Sequence, residues 1–175
     1  MVIKLDLAST FDRVRHNFLF IFMEKLGFSK TFTSWVKACI ASPWIAPMVN
    51  GHPTDFFQAS RGIRQGCPLS PLLYAIQASV LSFQLGHCQQ IQTLSGLRMV
   101  HNVEDINHAQ FANDTLLLGG ASVITARNFK RDLDIYKEVS GSKINHQKSM
   151  IYEWNCPNRE MIEITRILYM EGMVS

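Results

Sequence analysis

The stretch that decides the fold is "HAQFANDTLLLGG", residues 108–120. Two apolar runs flank a tight turn of Phe111, Ala112, Asn113 and Asp114, which is a hairpin pattern. An acid preceded by an amide at such a tip has two readings. Asn and Asp tolerate left-handed backbone and cap their own turns, so turn chemistry alone accounts for both. The alternative is a metal-binding carboxylate pair in which one member has been replaced. Residues elsewhere in the chain decide between the two.

The 175 residues suit one domain with a full core, too few for two ordinary ones. Hydrophobic residues make up 47% and charged residues 18%, a globular composition and not a disordered one. The longest apolar run, "FLFIFM" at 18–23, falls well short of a bilayer span, so no membrane partner is expected. No secretory signal pattern opens the chain, and an intracellular location, nuclear or cytoplasmic, is the expectation. Four scattered cysteines without a C-x-x-C spacing read as reduced thiols. His87 and Cys88 with His101 lack the spacing of a zinc site. The net charge of +3 admits nucleic acid as a partner without requiring it. Oligomeric state is not legible.

Outward from the hairpin, "VIKLDL" (2–7) alternates as a strand that brings Asp6 to its end. "DRVRHNFLFIFMEKLGF" has helical apolar spacing and a Gly27 stop, and Ser29 caps a second helix that closes before Pro43. "WIAPMVNGHPTDFFQAS" reads as two strands around "NGHP", with Pro47 restricting the first to an edge. A Gly/Pro loop, "RGIRQGCPLSP", leads into the apolar helix "LLYAIQASVLSFQLG", and residues 87–107 are loop-like. After the hairpin come an amphipathic helix ending at Gly141, the strand "KSMIYEW" and the helix "NREMIEITRIL". The pattern predicts an α+β domain, an antiparallel sheet with helices packed on one face.

Four signals with chemical meaning follow one another. Asp6 closes a strand, a common place for a metal ligand, and Phe11 follows five residues later. In "RQGCPLSP", Gly66 permits close backbone approach to a ligand and Gln65 can hydrogen-bond it. Then come the "FAND" tip and "SGSKINHQKS", a turn that delivers Lys148 to a strand. Each has an ordinary structural explanation: a polar strand end, a core aromatic, a proline-stiffened helix entrance, an exposed lysine. Arg61 and Arg64 suit loop carbonyls as well as phosphates, and His16, His52 and His146 carry no informative spacing.

Together these segments resemble the reverse transcriptase palm of LINE-type (non-LTR) retrotransposons, most like the plant ones. "KLDLASTFDRV" looks like motif A, "RGIRQGCPLSPLLY" like motif B, "HAQFANDTLLL" like motif C and "VSGSKINHQKS" like motif D. The intervening "FSKTFTSWVKACIASPW" and "VNGHPTDFFQASRG" are similar as well, and residues 153–175 match least. Cys67 stands where the family uses Asp or Cys. The resemblance implies a ferredoxin-like palm over 1–155 followed by a helical extension over 156–175, with fingers upstream and thumb downstream absent. It implies RNA-directed DNA polymerase chemistry on an RNA template, a DNA primer and deoxynucleoside triphosphates. Such chemistry uses two Mg²⁺ (or Mn²⁺) ions roughly 3.5–4 Å apart. By the resemblance, Asp6 and Asp114 are metal ligands, and Phe11 is the steric gate against a ribose 2′-hydroxyl. Gln65 and Gly66 line the nucleotide site, and Lys148 faces the pyrophosphate.

Motif C of this family ends F-A-D-D, and here Asn113 occupies the place of the first acid. An amide oxygen coordinates Mg²⁺ only neutrally and from one side. Weak metal binding and defective catalysis are therefore the expectation. A non-catalytic nucleic-acid-binding remnant, or a decayed element product without selected activity, are the alternatives. A sheet that binds nucleic acid by stacking would carry aromatics at its strand centres, whereas "VIKLDL" and "TLLL" are aliphatic there.

Overall fold

The computed structural model describes residues 1–98, 100, 104–154 and 156–168, and the backbone of Glu171–Val174. In chain order the elements begin β1 (Val2–Ala8), α1 (His16–Lys25), α2 (Lys30–Ile40), β2 (Trp44–Ile45), β3 (Met48–Val49), β4 (His52–Pro53), β5 (Phe57–Gln58) and α3 (Ser70–Gln90). They continue β6 (His108–Phe111), β7 (Asp114–Leu118), α4 (Val123–Ser140), β8 (Lys143–Ile144), β9 (Met150–Glu153), α5 (Asn158–Leu168) and β10 (Glu171–Val174). No helix among the described residues is long and apolar enough to cross a membrane. The chain divides into two compact units, one of Met1–Ala8, Ala78–Glu138 and Ser142–Ser175, the other of Ser9–Gln77 and Val139–Gly141.

The first unit holds the sheet, in the order β10-β9-β1-β7-β6, with β8 paired to the end of β1. It is the expected α+β arrangement with an antiparallel sheet, except that β10 runs parallel to β9. In β1 the residues Ile3, Leu5 and Leu7 are buried while Val2, Lys4, Asp6 and Ala8 are half-buried, the period-two pattern of a strand with one covered face. Those odd-numbered residues form the core with Leu117, Ile151, Leu81, Leu85, Phe129, Leu133, Tyr136, Met161, Ile164 and Leu168, drawn from β7, β9 and helices α3, α4 and α5. The even-numbered face of β1, which carries Asp6, is the other one.

Two strands escape the sequence reading. β8 and β10 are short, and their partners are β1 and β9, far away in sequence. Among the described residues of 156–175, the helix is α5, and β10 extends the sheet. β1 also continues past Asp6 to Ala8, because Leu7 and Ala8 pair with β8. α3 reaches Gln90, and an isolated bridge joins Leu97 to Ile106.

The second unit contains α1 and α2, with Ser29 capping α2 by accepting the Phe32 N–H. The expected strand pair around "NGHP" is split into two ribbons, β2 with β5 and β3 with β4. Pro47 lies at the split and has no N–H for a ladder. Asn50 and Gly51 both have positive φ (50° and 81°), the signature of a type I′ turn between β3 and β4. The loop before α3 is tied down by the Gly62 N–H on the Val14 carbonyl (2.8 Å) and the Ile63 N–H on that of Phe11 (2.8 Å).

Candidate active site

The ladder pairs Asp6 of β1 directly with Asp114 of β7. On its other edge Asp6 donates its N–H to Ser149 Oγ (3.1 Å), and its carbonyl accepts the Asn145 N–H (2.8 Å). Both backbone groups of Asp6 thus point away from β7. The Asp6–Asp114 pair is the non-hydrogen-bonded kind, in which facing Cβ atoms stand about 4.5–5.5 Å apart. Ser149 is buried and donates its own hydroxyl to the Asn145 carbonyl (2.8 Å). A turn side chain so fills the gap between β8 and β9 where β1 would otherwise lack a partner.

Like charges set directly opposite on a sheet repel, and two groups of the chain offset this pair. Asn113 Nδ2 donates to Asp6 Oδ1 at 2.9 Å. A carboxylate can only accept, so the orientation of that amide is fixed. Lys4, two residues before Asp6 on the same face, places Nζ 3.8 Å from Asp114 Oδ1. Both of these side chains are more than two-fifths exposed (43% and 44%), so the contact contributes at most about 1 kcal/mol. Phe111 and Asp114 close a two-residue loop, with Ala112 at φ 52°. A first central residue with positive φ is the type II′ requirement that glycine usually meets. On β6, His108 Nδ1 lies 2.5 Å from Asn107 Oδ1. Burial pushes the His108 pKa below its ordinary value.

The structure therefore brings Asp6, Asn113 and Asp114 to one end of the sheet. Lys148 is exposed in the turn before β9, its N–H on the Asn145 carbonyl (3.2 Å). In the other unit Phe11, Gln65 and Gly66 line one open cleft of about 560 Å³ with Cys67, Pro68 and Pro71. The Phe11 ring stacks on Tyr74 with centroids 5.4 Å apart, and Gln65 Nε2 donates to Asp12 Oδ1 (3.3 Å). Gly66 has φ 82°, a conformation its lack of a Cβ permits. Arg61 and Arg64 line a second pocket of about 380 Å³. Among the described residues no three His, Cys, Asp or Glu side chains gather as a metal site; His101 lies outside those residues.

Sequence reasoning passed over Lys4, Asn145 and Ser149. Lys4 carries a legible signal, since period two puts it on the face of Asp6. Ser149 carries none, because its partner is a backbone group 143 residues away.

An antiparallel sheet with a strand acid set beside a hairpin-tip acid, and helices on the far face, is the arrangement expected of a polymerase palm. The family described as reverse transcriptase (RNA-dependent DNA polymerase) matches residues 1–161, and the chain belongs to it. A retrotransposon R2 Pol polyprotein of Popillia japonica is 25% identical over 150 residues, 85% of this chain and 20% of that protein. The transposon TX1 uncharacterized 149 kDa protein of Xenopus laevis is 27% identical over 147 residues, 84% of this chain and 11% of that protein. The chain thus spans a fifth or less of these relatives. Telomerase of Candida albicans, solved with a fragment of telomeric RNA, shares the fold, with TM-score 0.65, 15% identity, and 90% of this chain and 27% of that one covered.

Proposed function

We propose that this chain is the palm of an RNA-directed DNA polymerase whose catalytic capacity is impaired at Asn113. The reaction is nucleotidyl transfer, with RNA as template, a DNA primer and deoxynucleoside triphosphates as substrates. Family membership and the RNA-bound telomerase of the same fold support that choice of partners. The observation that carries the impairment is the 2.9 Å hydrogen bond from the Asn113 amide to Asp6. Where the family motif has a carboxylate that would share a cation with Asp6, this chain has a neutral donor that occupies Asp6 instead.

The donor set fits one divalent ion and not two. Asp6 and Asp114 supply hard oxygen ligands of the kind Mg²⁺ or Mn²⁺ takes, and no third acid joins them among the described residues. An ion held there would supply positive charge to the phosphate oxygens and acidify the primer hydroxyl. Phe11, steadied by Tyr74, excludes a ribose 2′-hydroxyl in this reading, and Gln65 and Gly66 receive the nucleotide in their cleft. Lys148 places charge for the departing pyrophosphate.

The test is to set this palm between the fingers and thumb of a related reverse transcriptase and measure primer extension with Mg²⁺. Asn113→Asp in that chimaera is expected to raise the rate by at least about 10², the scale of one restored electrostatic element. Adding Asp6→Asn should abolish the gain. Equal rates with Asn113 and with Asn113→Asp, both well above background, would show that the amide is tolerated and overturn the impairment.

A further inference from the structure

We infer that Lys4 is a built-in competitor for the metal position. Its ammonium holds Asp114 when no divalent ion is present, and it sets the affinity of the Asp6–Asp114 pair for such an ion. The inference rests on the reading above that these two carboxylates bind a divalent cation.

Three observations carry it. The register sets Lys4 opposite Leu116, so that Asp114 is the diagonal neighbour on the same face, within reach of a long side chain. The ammonium is 3.8 Å from Asp114 Oδ1, and that is the one ion pair Lys4 makes among the described residues. Finally, the partner groups are divided between the acids: the neutral Asn113 amide serves Asp6, and the charged ammonium serves Asp114. A divalent ion held by both acids would draw on the Asp114 carboxylate that Lys4 attends. It also meets a like charge at short range, so Lys4 must swing into solvent before the ion can settle. Its half-exposed side chain has the freedom to do so. Lys4 thereby lets the two strand-end acids coexist without metal, and in the same way weakens the site for metal.

The experiment is titration of the whole chain with Mn²⁺, followed by water-proton relaxation at about 0.15 M salt, where charges beyond about 8 Å are screened. Lys4→Met and Lys4→Gln are expected to bind Mn²⁺ about fivefold more tightly than the unmodified chain, the upper end for an exposed pair. Lys4→Arg, which keeps the charge, should stay within about twofold on the same scale. Lys137→Met is the control for bulk charge, since that ammonium is held by Asp134 at 2.6 Å on α4. Asp6→Ala should lose binding. If Asp6→Ala loses binding while Lys4→Met and Lys4→Gln bind like the unmodified chain, the metal reading stands and the role of Lys4 falls. Equal tightening by Lys137→Met would also overturn it. If Asp6→Ala binds as the unmodified chain does, or if no variant binds, the metal reading falls and takes the competitor with it.

Discussion

Replacing Asn113 with Asp should make the protein depend on divalent ions for part of its stability. The substitution removes the amide N–H that Asp6 accepts at 2.9 Å and adds a third carboxylate beside Asp6 and Asp114. Lys4, at 3.8 Å from Asp114, remains the cation paired with this group. Local charge goes from −1 (two acids and one lysine) to −2. Losing a hydrogen bond to an exposed carboxylate costs about 1 kcal/mol. Two like charges about 4 Å apart near water add about 1–2 kcal/mol more, toward the high-dielectric limit because the side chains are exposed. A total of about 2–3 kcal/mol corresponds to a fall in Tm of about 4–12 °C for a chain of this size. Circular dichroism melts in chelator should show that fall for Asn113→Asp, and added Mn²⁺ should reverse it. The unmodified chain should respond to Mn²⁺ much less. Asn113→Asp melting at or above the parent temperature in chelator would refute the idea that the amide compensates Asp6.

Ser149→Ala should cost about 1–3 kcal/mol in denaturant unfolding, because it leaves the Asp6 N–H without the hydroxyl that accepts it, while the Asn145 carbonyl keeps the Lys148 and Ser149 N–H groups. Faster amide exchange at Asp6 than elsewhere on β1 is the accompanying signature, and uniform exchange would count against a local clamp. His108 should contribute a pH dependence: its pKa is lowered in the fold, so the unfolded chain takes up the proton first. Stability is fully present above the unfolded value of about 6.5 and declines as pH falls from there through the folded pKa. His108→Gln should flatten that slope in urea titrations at pH 5 to 7.5, and an unchanged slope would remove His108 as its source.

Much of this protein is legible from local pattern. The alternation in "VIKLDL", the Ser29 cap, the Gly141 stop and the "FAND" hairpin each depend on residues a few positions apart, and each appears in the structure. The acids at 6 and 114 could be assigned together because motif order implied that their strands meet, and the ladder pairs them. β8 and β10 were not legible, since two- to four-residue strands carry too little periodicity to announce themselves and exist only through distant partners. The splitting of the second ribbon could be anticipated only in part, from Pro47. What sequence alone determined is the identity of the residues at the sheet end, including an amide in place of an acid. What only the tertiary structure decided is how those charges are balanced. The Asn113 amide turns toward Asp6, Lys4 reaches diagonally to Asp114, and Ser149 holds the backbone of Asp6 from 143 residues away. Charge and hydrogen bonding act through distance in space, and strand register sets that distance.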